Sequence, residues 1–220
     1  MRTVYSIPKH REYLHGGYPS EPFLAEAASR KLFSIMCITA GYRRIDVSEQ
    51  YKHEIPEIIA KWFEAGLISK GQRGELVGRI LLTLAHDLCV IDAWNPWPPH
   101  TFSRKIPVVK FLETLIHPDF HDKILDARPQ NMEGKTLREA FAGSYIHGTQ
   151  FIKAGDNTIV TDEAALYAFI RGAFIHGDDY LGGNIIIPIL MKDEKLDRWI
   201  MSGIFIKTKN RLDPQPVHID

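Results

Sequence analysis

The segment NIIIPIL, from Asn184 to Leu190, constrains the fold of this chain more than any other. Its isoleucines are strong β-formers, so the segment is interpreted as a strand. A second β-forming segment, GIFIKTK from Gly203 to Lys209, follows after a short polar stretch. Two such segments joined by a short connection predict an antiparallel hairpin.

The chain ahead of this hairpin has the apolar spacing of helices. Thr136 and Glu139 match a capping box, and Thr161 is placed to cap a later helix. We therefore expect one α+β domain over residues 1–220, helix-rich to about residue 175, with a small C-terminal β-sheet over about 184–209. The predicted helices span residues 21–37, 54–66, 74–94, 108–116, 137–148 and 162–177.

Charge and cysteine content limit the class of protein. The chain has 220 residues, with 27 basic and 27 acidic side chains, so no overall charge makes nucleic acid or an acidic membrane an obligatory partner. Cys37 and Cys89 lie in apolar segments, which favours buried reduced thiols. No window approaches the roughly 20 apolar residues of a membrane span, and we expect a soluble intracellular protein, cytoplasmic or nuclear, without a membrane partner.

Five segments carry a family resemblance: GGYPSEPFLAEAASRKL, GELVGRILLTLAHD, GKTLREAFAGSYIH, GGNIIIPIL and GIFIKTKNR. They resemble a group of uncharacterised proteins of mushroom-forming (basidiomycete) fungi, whose members often have Asp before the IIIP-like strand and Gln-x-Lys-Asn in the last strand. That pattern implies a restriction-endonuclease-like, or PD-(D/E)xK, nuclease core, in which carboxylates hold Mg²⁺ and a lysine positions the attacking water.

Only part of that nuclease pattern is present here. By this resemblance Glu75 matches the helix glutamate and Lys209 the strand lysine, whereas Asn184 and Lys207 stand where metal-binding groups are expected. An amide is a poor substitute for a carboxylate at Mg²⁺, and an ammonium group repels the ion. Asp178 or Asp179 are loop substitutes for the missing ligand. The resemblance therefore implies a degenerate nuclease-like protein that binds nucleic-acid phosphates, with any Mg²⁺ held by Glu75 and Asp179.

Other interpretations stay open. Lys207 and Lys209 also suit the solvent face of an edge strand, and Glu75 suits the first turn of a helix. A non-enzymatic protein–protein interaction module, docking through WNPWPPH and a helical face, is a second function class.

A third class is a metal-dependent enzyme built on histidines. It requires several of these side chains to meet in space, and His117 and His121 have the i,i+4 spacing of a zinc pair. His147 and His176 are each followed by glycine and are interpreted as helix C-termini. The histidines in question are His86, His117, His121 and His147.

Overall fold

The computed structural model describes residues 3–6, 15–17, 21–39, 57, 60–61, 63–66, 70–93, 99–129, 134–153, 161–177, 185–191 and 196–208. The described chain is α+β, as the sequence predicts. Its helices are α1 (Glu21–Thr39), α2 (Lys70–Ala93), α3 (Val108–Leu115), α4 (His121–Leu125), α5 (Leu137–Ala140) and α6 (Asp162–Ile170). Its strands are β1 (Thr3–Ser6), β2 (His15–Gly17), β3 (Ile106–Pro107), β4 (Tyr145–Ile146), β5 (Gln150–Lys153), β6 (Ala173–His176), β7 (Ile185–Leu190) and β8 (Met201–Ile206).

Strand β7 is the centre of a mixed six-stranded sheet. It pairs antiparallel with β8 over its whole length, from Ile185 opposite Ile206 to Leu190 opposite Met201, which confirms the predicted hairpin. On its other edge β7 pairs antiparallel with β6 at its first two residues and with β4 at its last two. Strand β3 extends the sheet from β4, and β5 extends it from β6. A separate pair, β1 and β2, is antiparallel.

A proline within this central strand fits a local gap in the pairing. Pro188 lies opposite Gly203, between the residues of β7 that pair with β6 and those that pair with β4. Proline has no N–H to donate, so it is excluded from an uninterrupted central strand. The two-residue gap lets β7 hold a proline and still carry three neighbours.

The two faces of the sheet pack against different helices. Ile185, Ile187 and Ile189 join the larger core, which includes buried residues of α2 and α3. Ile186 faces the other way and packs with Ala168 of α6. Because side chains alternate along a strand, the consecutive isoleucines fill both layers, and all six residues of β7 are buried.

The strand β6 overturns part of the predicted helix 162–177. Helix α6 ends at Ile170, and Gly172 adopts a φ of +63°, a left-handed conformation that stops a helix. Residues AFIH then form β6, which runs parallel to β5 with α6 as the crossover. A helix C-terminus at His176 is therefore wrong, and the sheet begins well before residue 184.

The predicted helix 137–148 is also wrong beyond its first turn. Helix α5 covers only Leu137–Ala140, because Gly143 with a φ of +74° turns the chain into β4. Tyr145 and Ile146 pair with β3 on one side and β7 on the other. His147 consequently follows a strand rather than ending a helix.

Several local signals are confirmed. Thr136 and Glu139 form the capping box in both directions, and the Thr161 hydroxyl accepts from the amide of Ala164. The thiol of Cys89 is buried and forms no disulfide among the described residues, and burial raises its pKa to about 11. The side chain of Cys37 lies outside the described residues.

Four apolar residues that the helical spacing places on buried helix faces are exposed in the structure. Phe23 and Leu24 of α1, and Val77 and Leu81 of α2, are exposed rather than buried. Most of the helical segment 54–66 lies outside the described residues, although Gly66 has the positive φ of a helix-ending residue. In the described part of the chain, no helix combines the length and apolar character that crossing a membrane requires.

We expect Gly148→Ala to destabilise the fold by about 1–3 kcal/mol, because a Cβ at this position overlaps the ring of Phe174. That ring is fully buried and lies edge-on to Phe111 and Phe151. Urea unfolding measures the change. Gly203→Ala is the matched control, because its Cβ meets Ile186 only at 3.4 Å. Similar losses in both variants would contradict the steric account.

Candidate functional site

Glu75 lies in the second turn of α2, because that helix begins at Lys70 rather than at the predicted Gly74. A first-turn role favoured by the helix dipole is therefore wrong. Its carboxylate is about one-third exposed and contacts two basic side chains through the same oxygen, Oε1. Arg79, one turn further along α2, donates to it, and Nε2 of His176 lies 3.0 Å away. Glu75, Arg79 and His176 are called the Glu75 cluster below.

The cluster sits at one end of the sheet. Strand β6 ends at His176, which lies opposite Ile185 at the start of β7, and Ile185 lies opposite Ile206 at the end of β8. Gly78 of α2 allows this approach, because a Cβ there would lie 2.6 Å from Cγ2 of Thr208. The site therefore lies where α2 meets the ends of β6 and β8 and the start of β7.

Arg79 has an unusual environment for a cation. Its guanidinium carbon lies 5.6 Å from the centre of the Phe151 ring, and its Nε is buried and has no hydrogen-bond partner among the described residues. A buried N–H that donates to nothing is costly, typically by about 1–3 kcal/mol. One N–H of Arg79 is thus buried beside the Glu75 carboxylate without a partner among the described residues.

Lys207 lies at the same end of the sheet but faces another way. Its side chain is exposed, whereas Ile204, Ile206 and Thr208 are half-buried. Ile204 and Ile206 pack on the core that includes α2, so the alternation along the chain directs Lys207 to the opposite face from Glu75. Asn184, Lys209, Asp178 and Asp179 lie outside the described residues, and the convergence of Glu75, Asn184, Lys207 and Lys209 stays a prediction.

The electrostatics of the Glu75 cluster favour anions over metal ions. A carboxylate that binds Mg²⁺ must offer its oxygens to the ion, and basic neighbours compete for them and repel the cation. Here Arg79 and, when protonated, His176 bring two positive charges to one negative charge. Within the described residues, no group of three His, Cys, Asp or Glu side chains is placed to hold a metal ion.

A second polar cluster lies around the middle of α2. His86 and Asp87 are fully buried, and Nε2 of His86 donates to the carbonyl of Arg104. His147 donates from Nδ1 to the carbonyl of Phe169 at 2.9 Å, so its neutral Nε2 accepts from the Ser103 hydroxyl at 3.1 Å. Two of the four predicted histidines thus come close enough to interact electrostatically.

The other two histidines make contacts of their own. His117 is exposed and accepts from the amide of Asp119, and His121 donates to the carbonyl of Ile116. The first bond caps the 3-10 turn Pro118–Phe120, and the second joins the start of α4 to the residue that follows α3, so the i,i+4 spacing of the two histidines serves a turn. A zinc pair at this position finds no third ligand among the described residues.

Sequence reasoning missed two functional side chains. His176 was placed at a helix end, so its approach to Glu75 from a strand was not expected. Ser103 lies in an irregular loop between α2 and β3, and no residue spacing connects it to His147. The available signal for β6 is Gly172 followed by the short apolar run Ala173–Ile175, since a glycine can end a helix and a short apolar run suits a buried strand.

No protein-family model, curated protein or solved structure matches this chain. The resemblance to the fungal proteins stays a prediction. The contacts of the two clusters are therefore the basis for proposing a function.

We expect His147 to make folding pH-dependent. Burial, together with the electrostatic effect of nearby His86, lowers the pKa of His147 from 6.5 to about 4, against a smaller opposing effect of the Phe169 carbonyl. The unfolded chain therefore binds a proton first, and stability is lost as the pH falls from about 6.5 toward 4. The expected loss between pH 7 and pH 4.5 is about 2–3 kcal/mol, measured by urea unfolding.

The control for this prediction is His147→Gln, which keeps an amide donor but does not titrate. The difference in unfolding free energy between pH 7 and pH 4.5 should be smaller in this variant by that amount. An identical pH dependence in both proteins would contradict the lowered pKa.

Proposed function

We propose that this protein binds the phosphate groups of nucleic acid through a degenerate nuclease-like site, and that it is related to the PD-(D/E)xK-like proteins of basidiomycete fungi. The observation that carries the proposal is the neutralised carboxylate of Glu75, which contacts both Arg79 and His176. In an active site of this class the corresponding glutamate would be free for Mg²⁺.

The basic side chains at this end of the sheet support phosphate binding. A phosphate oxygen that approaches the cluster can accept from the partly exposed guanidinium of Arg79 and from His176 as Glu75 is displaced. Lys207 adds an exposed cation directly after β8, which ends at Ile206. Because phosphates repeat along a strand of nucleic acid, one strand passing this end of the sheet reaches both cations.

We expect Glu75→Gln to strengthen binding of single- and double-stranded oligonucleotides, by about 3- to 10-fold at low salt, because it removes a competing negative charge. Fluorescence anisotropy with labelled DNA and RNA, with and without Mg²⁺ or Mn²⁺, measures the affinity. Glu64→Gln is the matched control, since Glu64 is an exposed carboxylate outside the cluster. In an active metal-dependent nuclease the same Glu75 variant would instead abolish cleavage.

A Lys207→Ala, Lys209→Ala double variant should weaken binding and lower the slope of log affinity against log salt by about one to two. Lys123→Ala, at an exposed lysine of α4, controls for the loss of charge alone. Absence of binding to every oligonucleotide at low salt would reject the proposal. Metal-dependent cleavage that needs Glu75 would instead show that the protein is an active nuclease.

Protein binding is the second candidate function, because an exposed apolar surface lies on the far side of the sheet. Helix α6 contacts the turn that precedes β8, and large apolar side chains are exposed there. Surfaces of this kind mark interaction sites in soluble domains. The exposed residues are Tyr167, Ile170, Leu196, Trp199 and Phe205.

We expect this surface, if it binds a second copy of the chain, to produce concentration-dependent self-association. Sedimentation velocity measures it, and a Trp199→Ser, Phe205→Ser double variant should remove it, since these side chains are 73% and 55% exposed. Phe120→Ser, at another exposed aromatic, is the control. A monomer at every concentration would reject self-association through this face.

A further inference from the structure

The loop before β3 wraps a single carboxylate oxygen. Oε2 of Glu26, on α1, accepts from the Thr101 hydroxyl and from the backbone amides of Phe102 and Ser103, each at 2.9 Å. The other oxygen, Oε1, accepts from Nε of Arg30 at 2.6 Å. Burial opposes ionisation of Glu26, but these hydrogen bonds outweigh it and lower the pKa of the carboxyl. The loop is therefore a site built for a negatively charged oxygen.

The same loop carries a hydroxyl that is hydrogen-bonded to a base. The Ser103 hydroxyl donates to Nε2 of His147 at 3.1 Å, within the range of a nucleophile and its base. The carbonyl of Phe169 accepts from Nδ1 at 2.9 Å and keeps the imidazole in the tautomer that can receive the serine proton. A chain of hydrogen bonds thus connects a nucleophile, its base and a group that orients the base.

The two arrangements meet at one residue. Serine acyl transfer requires backbone donors about 2.7–3.1 Å from the oxygen that becomes negative. The amides of Phe102 and Ser103 lie at that distance from the Glu26 oxygen, and one of them belongs to the nucleophile itself. A carboxylate is also the product of ester hydrolysis, so Glu26 stands where a product carboxylate would stand.

We propose that Ser103 is the nucleophile of an acyl-transfer site for carboxylic esters, with His147 as its base and the amides of Phe102 and Ser103 as oxyanion donors, and that Glu26 occupies this site in the present conformation. This proposal is independent of phosphate binding at the Glu75 cluster. The loop and His147 lie beside the middle of α2, whereas Glu75 lies near its start.

The reaction balances without a cofactor. The Ser103 hydroxyl gives its proton to Nε2 of His147 and attacks the ester carbonyl carbon, whose oxygen becomes the oxyanion. Collapse breaks the bond to the alcohol, which leaves with the proton from His147. Water then attacks the acyl group, gives a proton to His147, and Ser103 leaves with that proton restored.

The surroundings of His147 define the class of ester. Its Nδ1 donates to a main-chain carbonyl rather than to a carboxylate, so the imidazolium formed during the reaction is only weakly stabilised. Partial burial disfavours that cation further. We therefore expect acylation by esters with good leaving groups, such as aryl esters, and slow turnover afterwards.

Helix α1 controls access to the site. Arg30 donates to the carbonyl of His100, and Phe33 packs edge-on against Phe102 with ring centres 5.8 Å apart. These contacts hold Glu26 over the loop, so acylation requires displacement of its carboxylate. Removal of that carboxylate should open the oxyanion position.

The test is covalent labelling by a fluorophosphonate probe, which reacts with nucleophilic serines, followed by mass spectrometry of the modified peptide. We expect Glu26→Ala to label at Ser103 at least about 10-fold faster than the natural chain. Ser103→Ala in the Glu26→Ala background should lose the label, and His147→Gln in that background should slow labelling by about 100-fold or more. Ser202→Ala, at an exposed serine of β8, should change nothing.

Glu26→Gln is the second variant, for the case in which Glu26→Ala does not fold, and it keeps the shape of the side chain while removing its charge. Circular dichroism establishes folding of each variant. The initial burst of p-nitrophenol that the same proteins release from p-nitrophenyl acetate should follow the labelling rates, because it reports acylation. A folded Glu26 variant that the probe does not label at Ser103 would overturn the proposal. Oligonucleotide binding should be unchanged in Ser103→Ala, which separates this result from failure of the phosphate-binding proposal.

Discussion

Burial of β7 on both faces is the constraint on which the described structure depends. Its odd-numbered isoleucines complete the core against α2 and α3, and Ile186 completes the layer against α6. Its two edges connect β8 with β4 and β6. Fully burying one isoleucine contributes about 1.5–3 kcal/mol, so four of them in one strand account for a large share of the stability of a domain. The Glu75 cluster exists because this strand brings the end of β6 under the start of α2.

The parts of this fold that the sequence predicts are those with long or chemically specific signals. The hairpin follows from two runs of β-formers, α2 from a long apolar pattern, and two helix starts from Thr136 and Thr161. The short strands β3 and β4 have two residues each, too few for a period of two to appear. Their strand conformation comes from pairing with distant residues, which local propensity does not encode.

The candidate site shows the same division. Glu75 and its i,i+4 partner Arg79 are visible in the sequence, since both lie on one helix. The contact of Glu75 with His176 joins residues far apart in the sequence. It depends on Gly172, which ends α6 and leaves residues 173–176 free to form β6. The contact of Ser103 with His147 depends on an irregular loop. Contacts between side chains of distant segments are therefore the part of the site that a single sequence does not predict.

The long separation between α2 and β7 in the sequence also affects folding during synthesis. Helix α2 is complete at Ala93, but the isoleucines that cover its apolar face begin at Ile185. During synthesis from the N-terminus, this face emerges from the ribosome long before its partner strand exists. The apolar face of α2 is therefore open to contact with other chains until Ile185–Leu190 has been made, and a chain that stops before Ile185 lacks the strand that covers this face.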